Sequence, residues 1–128
     1  MKTITTLLSL CAALIAFSAV AEVKLEDNSK ILGKWRVNAE SLALDKEKKT
    51  LNVSWEFQNN GMLRTIAEDT LGRTSEMDIS VKYSVEGGII KKQVSPGREK
   101  YEDCSVISFE GKDMTLRCRN LFFFMTHK

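Results

Sequence analysis

The chain carries 128 residues, 19 of them Lys or Arg against 17 Asp or Glu, and 28% of its side chains are charged. That length supports one hydrophobic core rather than two, and charges of both signs interspersed along it exclude the clustered basic field that nucleic-acid binding needs. Seven glycines, one proline and no repeat or low-complexity tract leave no linker at which to divide the chain.

At the start, Lys2 precedes an apolar run from Leu7 to Val20, with small residues at Ala19 and Ala21. This is the layout of a signal peptide over Met1 to Ala21, cut before Glu22. The run is too short to cross a bilayer comfortably, and no later segment approaches spanning length. Cys11 stands inside it behind Leu10, where a lipoprotein signal would carry a small residue. The expectation is an exported protein, periplasmic or secreted, with one domain over residues 22–128 and no transmembrane segment after cleavage.

A first strand is expected around Gly33-Lys34-Trp35, and the only candidate helix is a short one near Ala39 to Leu44 with Asn38 as its N-cap. Lys46, Lys48 and Lys49, interrupted by Glu47, read as a solvated loop. Leu51 to Phe57 and Ile79 to Val85 then alternate apolar and polar residues without a fault, the pattern of strands with one buried face. Turns carrying glycine follow at Asn59-Asn60-Gly61, Glu86-Gly87-Gly88 and Glu110-Gly111-Lys112-Asp113. If Gly87-Gly88 is a two-residue turn, Val85 faces Ile90, Tyr83 faces Lys92 and Val81 faces Val94. The hairpin before it sets the small Thr65 and Ala67 opposite Trp55 and Val53.

Many short strands, tight turns and almost no helix leave a sandwich or a closed barrel. The last strand, Leu121-Phe-Phe-Phe-Met125, is apolar on both faces and would be an aggregation template if left at an edge. Closing it against the first strand hides that edge, so the expected fold is all-β: a small antiparallel barrel of about eight short strands with at most one short helix.

Gly33-Lys34-Trp35 resembles the Gly-x-Trp signature of lipocalin-like proteins, in which the indole plugs the closed end of a barrel. Trp55-Glu-Phe57 with Asn60-Gly61, and Lys82-Tyr83-Ser-Val85 with Gly87-Gly88, are similar to the small lipocalin-like domains of secreted bacterial proteins. The resemblance implies a structural role for Gly33 and Trp35. It also implies a basic side chain packed over Trp35, for which Arg119 and Lys128 are the candidates.

For catalysis there is little to use. His127, beside the C-terminus, is the single histidine, and the chain has no Gly-x-Ser-x-Gly elbow, no HExxH and no phosphate-cradling loop. The carboxylate neighbours Glu68-Asp69 and Glu102-Asp103 point to opposite faces if they lie on strands, and solvated turns account for them as well. Cys104, Cys118, Met114, Met125 and His127 offer soft ligands in no recognised spacing, so core methionines and a disulfide are the simpler account. The expectation is a protein that is no enzyme and carries no catalytic residue, metal or cofactor.

With Cys11 in the leader, Cys104 and Cys118 remain for one bridge. A two-residue turn at Gly111-Lys112 pairs Phe109 with Met114, Ile107 with Leu116 and Tyr101 with Phe122, but sets Cys118 against Ser105. A three-residue loop pairs the cysteines and sets Phe109 against Asp113. A bulge near Asp103 reconciles the two. Strand pattern and resemblance together imply a barrel holding a small apolar or amphipathic ligand against Trp55, Phe57, Tyr83 and Lys92. The alternative is an envelope interaction module or inhibitor working through outer residues such as Met62, Ile66 and Ile89.

Overall fold

A computed structural model describes residues 22–68, 71 and 73–128; the leader with Cys11, and Asp69, fall outside the described residues. Eight strands follow in order: β1 (Gly33–Ser41), β2 (Lys49–Phe57), β3 (Met62–Glu68), β4 (Ser75–Glu86), β5 (Ile89–Gln93), β6 (Tyr101–Glu110), β7 (Asp113–Cys118) and β8 (Leu121–His127). Each pairs antiparallel with the next, and β8 returns to β1 to close the barrel.

The alternation in β2 sends Val53, Trp55 and Phe57 inward, where their partners on β3 are Ala67, Thr65 and Leu63. Leu63 and Thr65 in turn meet Val81 and Ile79 on β4. Closure provides for the aromatic β8 run: Phe122, Phe123 and Phe124 are paired on one side to β7 and on the other to Ser41, Glu40 and Ala39 of β1. No flat apolar edge is left there to recruit another strand. The outer wall is charged, with Arg64 donating two hydrogen bonds to Asp78 at 2.9 and 2.7 Å and Lys91 paired to Asp103 at 2.9 Å. The Arg64 guanidinium holds the Asp78 carboxyl below its ordinary value. Such a wall differs from the apolar outer band of a membrane barrel, and among the described residues no helix is long and apolar enough to cross a membrane.

Several sequence expectations need correction. Residues 39–44 form no helix: Ala39 to Ser41 continue β1, and Asn38 sits at a register shift, where its Nδ2 donates to Thr126 Oγ1 at 2.9 Å. A single helical turn would satisfy few backbone groups, whereas β1 is paired on both sides. Val94 does not face Val81, because β5 stops at Gln93. The buried Gln93 side chain accepts from the Lys82 amide and donates to the Arg98 carbonyl, turning the chain into the 94–100 loop. The third correction concerns β6. Phe109 pairs with Met114 across Gly111-Lys112, but the register shifts between Val106 and Ser108, so Val106 rather than Ile107 faces Leu116. Tyr101 faces Gln93 on β5, not Phe122.

That shift brings Cys104 opposite Cys118, and the two form a disulfide. The bulge is at Ile107 instead of near Asp103, because the extra residue must fall between the turn and the cysteines.

In an up-and-down barrel alternate connections lie at opposite ends. The tight turns at 58–61, 87–88 and 111–112 mark one end, and residues 22–32 close it. Val23 donates its amide to Val106 and Leu25 to Gly88, then Ile31 and Leu32 both donate to Asn28. Leu25 and Ile31 join Trp35, Phe57, Leu63, Val106 and Met114 in the core. Trp35 is fully buried, and its indole donates to the Ile31 carbonyl at 2.8 Å. The basic group against it is His127, edge-on with centroids 4.7 Å apart. Arg119 sits at the far end, on the β7–β8 connection, and Lys128 Nζ donates to Ser54 on the wall.

His127 also explains the glycine of the triplet. Gly33 has φ +106°, and a Cβ there would stand 2.8 Å from His127 Nε2, which itself contacts the Leu32 carbonyl at 3.0 Å. Gly33→Ala therefore incurs both backbone strain and a clash, and should destabilise the fold by about 1–3 kcal/mol in urea titration. In Gly33→Ala/His127→Ala the clash disappears and the strain stays, so the double variant should lose less than the two single losses combined.

The bridge gives a second expectation. The Cys104–Cys118 bridge, at a sequence separation of 14, should contribute roughly 3 kcal/mol, lost on urea titration of Cys104→Ala/Cys118→Ala. The intact wild-type mass before reduction should fall short of the reduced mass by the pair of thiol hydrogens.

Candidate functional site

The other end is open. Apart from the short 119–120 turn its connections are longer, at 42–48, the β3–β4 link and 94–100, and no segment equivalent to residues 22–32 crosses it among the described residues. Below its rim the wall strands bring one charged cluster inward. Because Gly87-Gly88 is the turn, Lys92 faces Tyr83 on the inner surface of β5; because Lys92 pairs with Glu102, the carboxylate faces inward too. Lys92 Nζ lies 2.8 Å from Glu102 Oε2, and the two side chains are only 14% and 16% exposed. Asp103, one residue on, points out and pairs with Lys91, the opposite-face behaviour expected of strand neighbours.

Arg119 adds a second cation from the rim, its Nε 3.6 Å from Glu102 Oε1. It holds φ +57°, the one positive φ among described non-glycine residues, and so makes the tight β7–β8 turn. Beneath the cluster lies an aromatic floor. Trp55 is 5.7 Å from Lys92 Nζ, centroid to nitrogen, and its ring meets Phe123 at 5.4 Å. A cavity of about 310 Å³ opens beside it, bounded by Glu102, Cys118, Arg119, Asn120, Leu121 and Phe123, at the small end of the range for ligand pockets.

The four ligand-lining residues expected from the sequence form one line of contacts but lie at different depths. Trp55 and Lys92 border the mouth. Phe57, 5.1 Å from the Tyr83 ring, is packed into the core, and the Tyr83 hydroxyl is engaged at the closed end, donating to the Gln58 carbonyl and accepting from Asn28. Both act as floor, and the interior beneath Trp55 is filled by side chains. Sequence reading missed Glu102 as an inward residue and Phe123 as part of the mouth. The signal for Glu102 was the register of β5 on β6, hidden by the 94–100 loop.

Around the rim stand the large apolar side chains most open to water: Leu42 at 72% and Leu71 at 69% exposure, with Leu44, Met77 and Tyr101. Met62, Ile66 and Ile89, expected to form an outer patch, are half-buried on the wall. A wider cleft of about 630 Å³ lies on that wall, against Met62, Lys82, Ser84, Lys91 and Tyr101. It lacks a charged pair withdrawn from water, so the mouth is the better candidate. Cys104 and Cys118 are spent on the disulfide and Met114 and Met125 on the core, and among the described residues no group of His, Cys, Asp and Glu is placed to hold a metal.

A closed antiparallel barrel of eight strands is the lipocalin-like architecture. Solved structures agree. A lipocalin-like protein from Bacteroides uniformis superposes with a TM-score of 0.63 over 78% of this chain and 100% of its own, at 16% identity. An uncharacterized protein from Bacteroides eggerthii does so with a TM-score of 0.57 over 76% and 98%, at 14% identity. No protein-family model and no curated sequence matches the chain, so the likeness is one of fold.

The Lys92–Glu102 pair is testable directly. A double-mutant cycle of Lys92→Met and Glu102→Gln should return a coupling of about 1 kcal/mol in urea unfolding, more than a fully exposed pair gives.

Proposed function

We propose that this is an exported, non-catalytic barrel that binds a small amphipathic molecule at its open end, with the apolar part on Trp55, Phe123 and Leu121 and the polar part at Lys92, Glu102 and Arg119. The observation that carries the reading is the Lys92–Glu102 pair: two opposite charges largely withdrawn from water, with Glu102 lining the cavity beside the β7–β8 turn. A pair built for stability alone would be replaceable by apolar side chains. Placed at an aromatic-floored mouth, it orients a molecule with both polar and apolar parts, the arrangement of small-ligand sites generally. The disulfide suits export to an oxidising compartment, periplasmic or extracellular.

Native mass spectrometry of the protein purified from periplasm should show added mass that leaves on unfolding. Trp55→Leu should weaken rebinding of the released molecule by about tenfold, or ~1.4 kcal/mol. A protein that carries nothing and takes up no amphiphile in titration refutes the reading.

One observation favours a second reading, a protein-interaction module: the exposed leucines gather at the same rim, and exposed apolar patches mark partners. In that case Leu42→Ser/Leu44→Ser should abolish a stoichiometric periplasmic complex while leaving small-molecule uptake at the mouth intact.

A further inference from the structure

β4 outruns its neighbour on one side. Toward β3 it is paired from Ser75 to Lys82, but toward β5 only from Tyr83 to Glu86, because β5 ends at Gln93. Two amides show which way the remaining backbone groups point. Tyr83 donates its N–H to the Gly61 carbonyl on the β3 side, and Lys82 donates to the Gln93 side chain on the β5 side. Successive residues of an antiparallel strand turn their N–H and C=O to opposite sides, so Ser80 and Asp78 point the same way as Lys82.

Gln93 stands where the backbone pairing gives out. Its Oε1 accepts the Lys82 N–H at 2.9 Å, the place of a strand carbonyl, and its Nε2 donates to the Arg98 carbonyl at 2.9 Å. Beyond it the chain leaves β4: Val94 donates its amide to the Lys100 carbonyl at 2.8 Å, so the 94–100 loop pairs with itself. Asp78 and Ser80 thus face a gap, with no strand opposite them among the described residues. Glu76, Met77, Asp78 and Ser80 are exposed and Ile79 is half-buried, which leaves this edge accessible from outside. Lys82 and Tyr101, on either side of Gln93, also line the cleft on the outer wall.

From this we infer that the Asp78–Ser80 edge of β4 takes an extended segment of another polypeptide as an added strand, whatever the mouth holds. Donors and acceptors of alternate residues recur about every 6.8 Å along a strand, and an extended backbone meets them in register. The pleat then sets the guest's side chains. Residues opposite Met77 and Ile79 turn to the inner face and are apolar; those opposite Asp78 and Ser80 turn outward and are polar. Acidic residues suit the outward positions, because Arg64 already holds Asp78, and Lys82, Arg98 and Lys100 outnumber Glu76 and Glu99 beside the gap. A second copy of the chain is the poorer occupant, since the 94–100 loop, anchored through Gln93, borders the gap and a whole barrel would have to displace it.

The probe is a capped heptapeptide of alternating glutamate and valine, titrated into the mature protein with amide hydrogen exchange as the readout. In the free protein the Asp78 and Ser80 amides should exchange fast and the Ile79 and Val81 amides, paired to β3, slowly; saturating peptide should protect the first two at least tenfold. Residues directly opposite Asp78 and Ser80 exchange both backbone bonds with them, so N-methylation of the glutamates should abolish binding while N-methylation of the valines, whose N–H groups point away from β4, leaves most of it. Ser80→Pro removes one edge donor at a position where an edge strand tolerates proline and should weaken binding about tenfold. The two methylated peptides report on the wild-type protein even if that variant fails to fold. No saturable binding at about 1 mM peptide, or equal loss from both methylation patterns, overturns the added strand. Asp78 and Ser80 amides already protected in the free protein overturn it too: protection that rises with protein concentration assigns the edge to a second copy, and protection that does not shows the edge covered by the chain itself.

Discussion

The pairing of β1 with β8 is the constraint on which the rest of the structure depends. A sheet of eight strands could remain open, but here the last strand is aromatic at successive positions and has no polar face to show to water. Joining it to β1 gives Phe122 and Phe124 neighbours on the wall and turns Phe123 and Met125 into the interior. The same junction brings His127 to Trp35 and Gly33, so the closure of the sheet and the plugging of one end are made by the same few residues. With that end sealed by the indole and by residues 22–32, any exchange with solvent is left to the other end. The location of the candidate site is therefore a consequence of how the barrel closes.

Much of this was legible in the residues. Strict alternation in Leu51 to Phe57 and Ile79 to Val85, together with tight glycine turns, fixed inward and outward faces, and the Tyr83–Lys92 pairing followed from the turn alone. Local pattern sufficed because these hairpins are short and their register is set within a few residues. Where pattern failed, a distant residue had decided the matter. The 39–44 segment has helical composition, but Asn38 is held by Thr126 from the other end of the chain. The basic group over Trp35 was sought among Arg and Lys, yet the imidazole of His127 fills that place because β8 delivers it there.

The candidate site was only half visible for the same reason. Lys92 could be placed by counting from a glycine pair. Glu102 could not, because the 94–100 connection is shaped by the buried Gln93 amide, whose partners Lys82 and Arg98 are not deducible from neighbours in sequence. Arg119 adopts a backbone conformation that glycine or asparagine usually supplies, so the turn that carries it to Glu102 has no compositional mark. Charge placed inside a barrel is thus readable only after strand register is known.

The shift at Ile107 reaches beyond register. By rotating the cysteines inward it puts the bridge inside the wall, where Cys104 and Cys118 are 1% and 3% exposed. Thiol attack on a disulfide needs access to a sulfur, so reductant must wait for β6 and β7 to part. The bridge is then a clock as well as a clamp: the speed at which a dilute reductant cleaves it in the folded protein measures how often this barrel breathes.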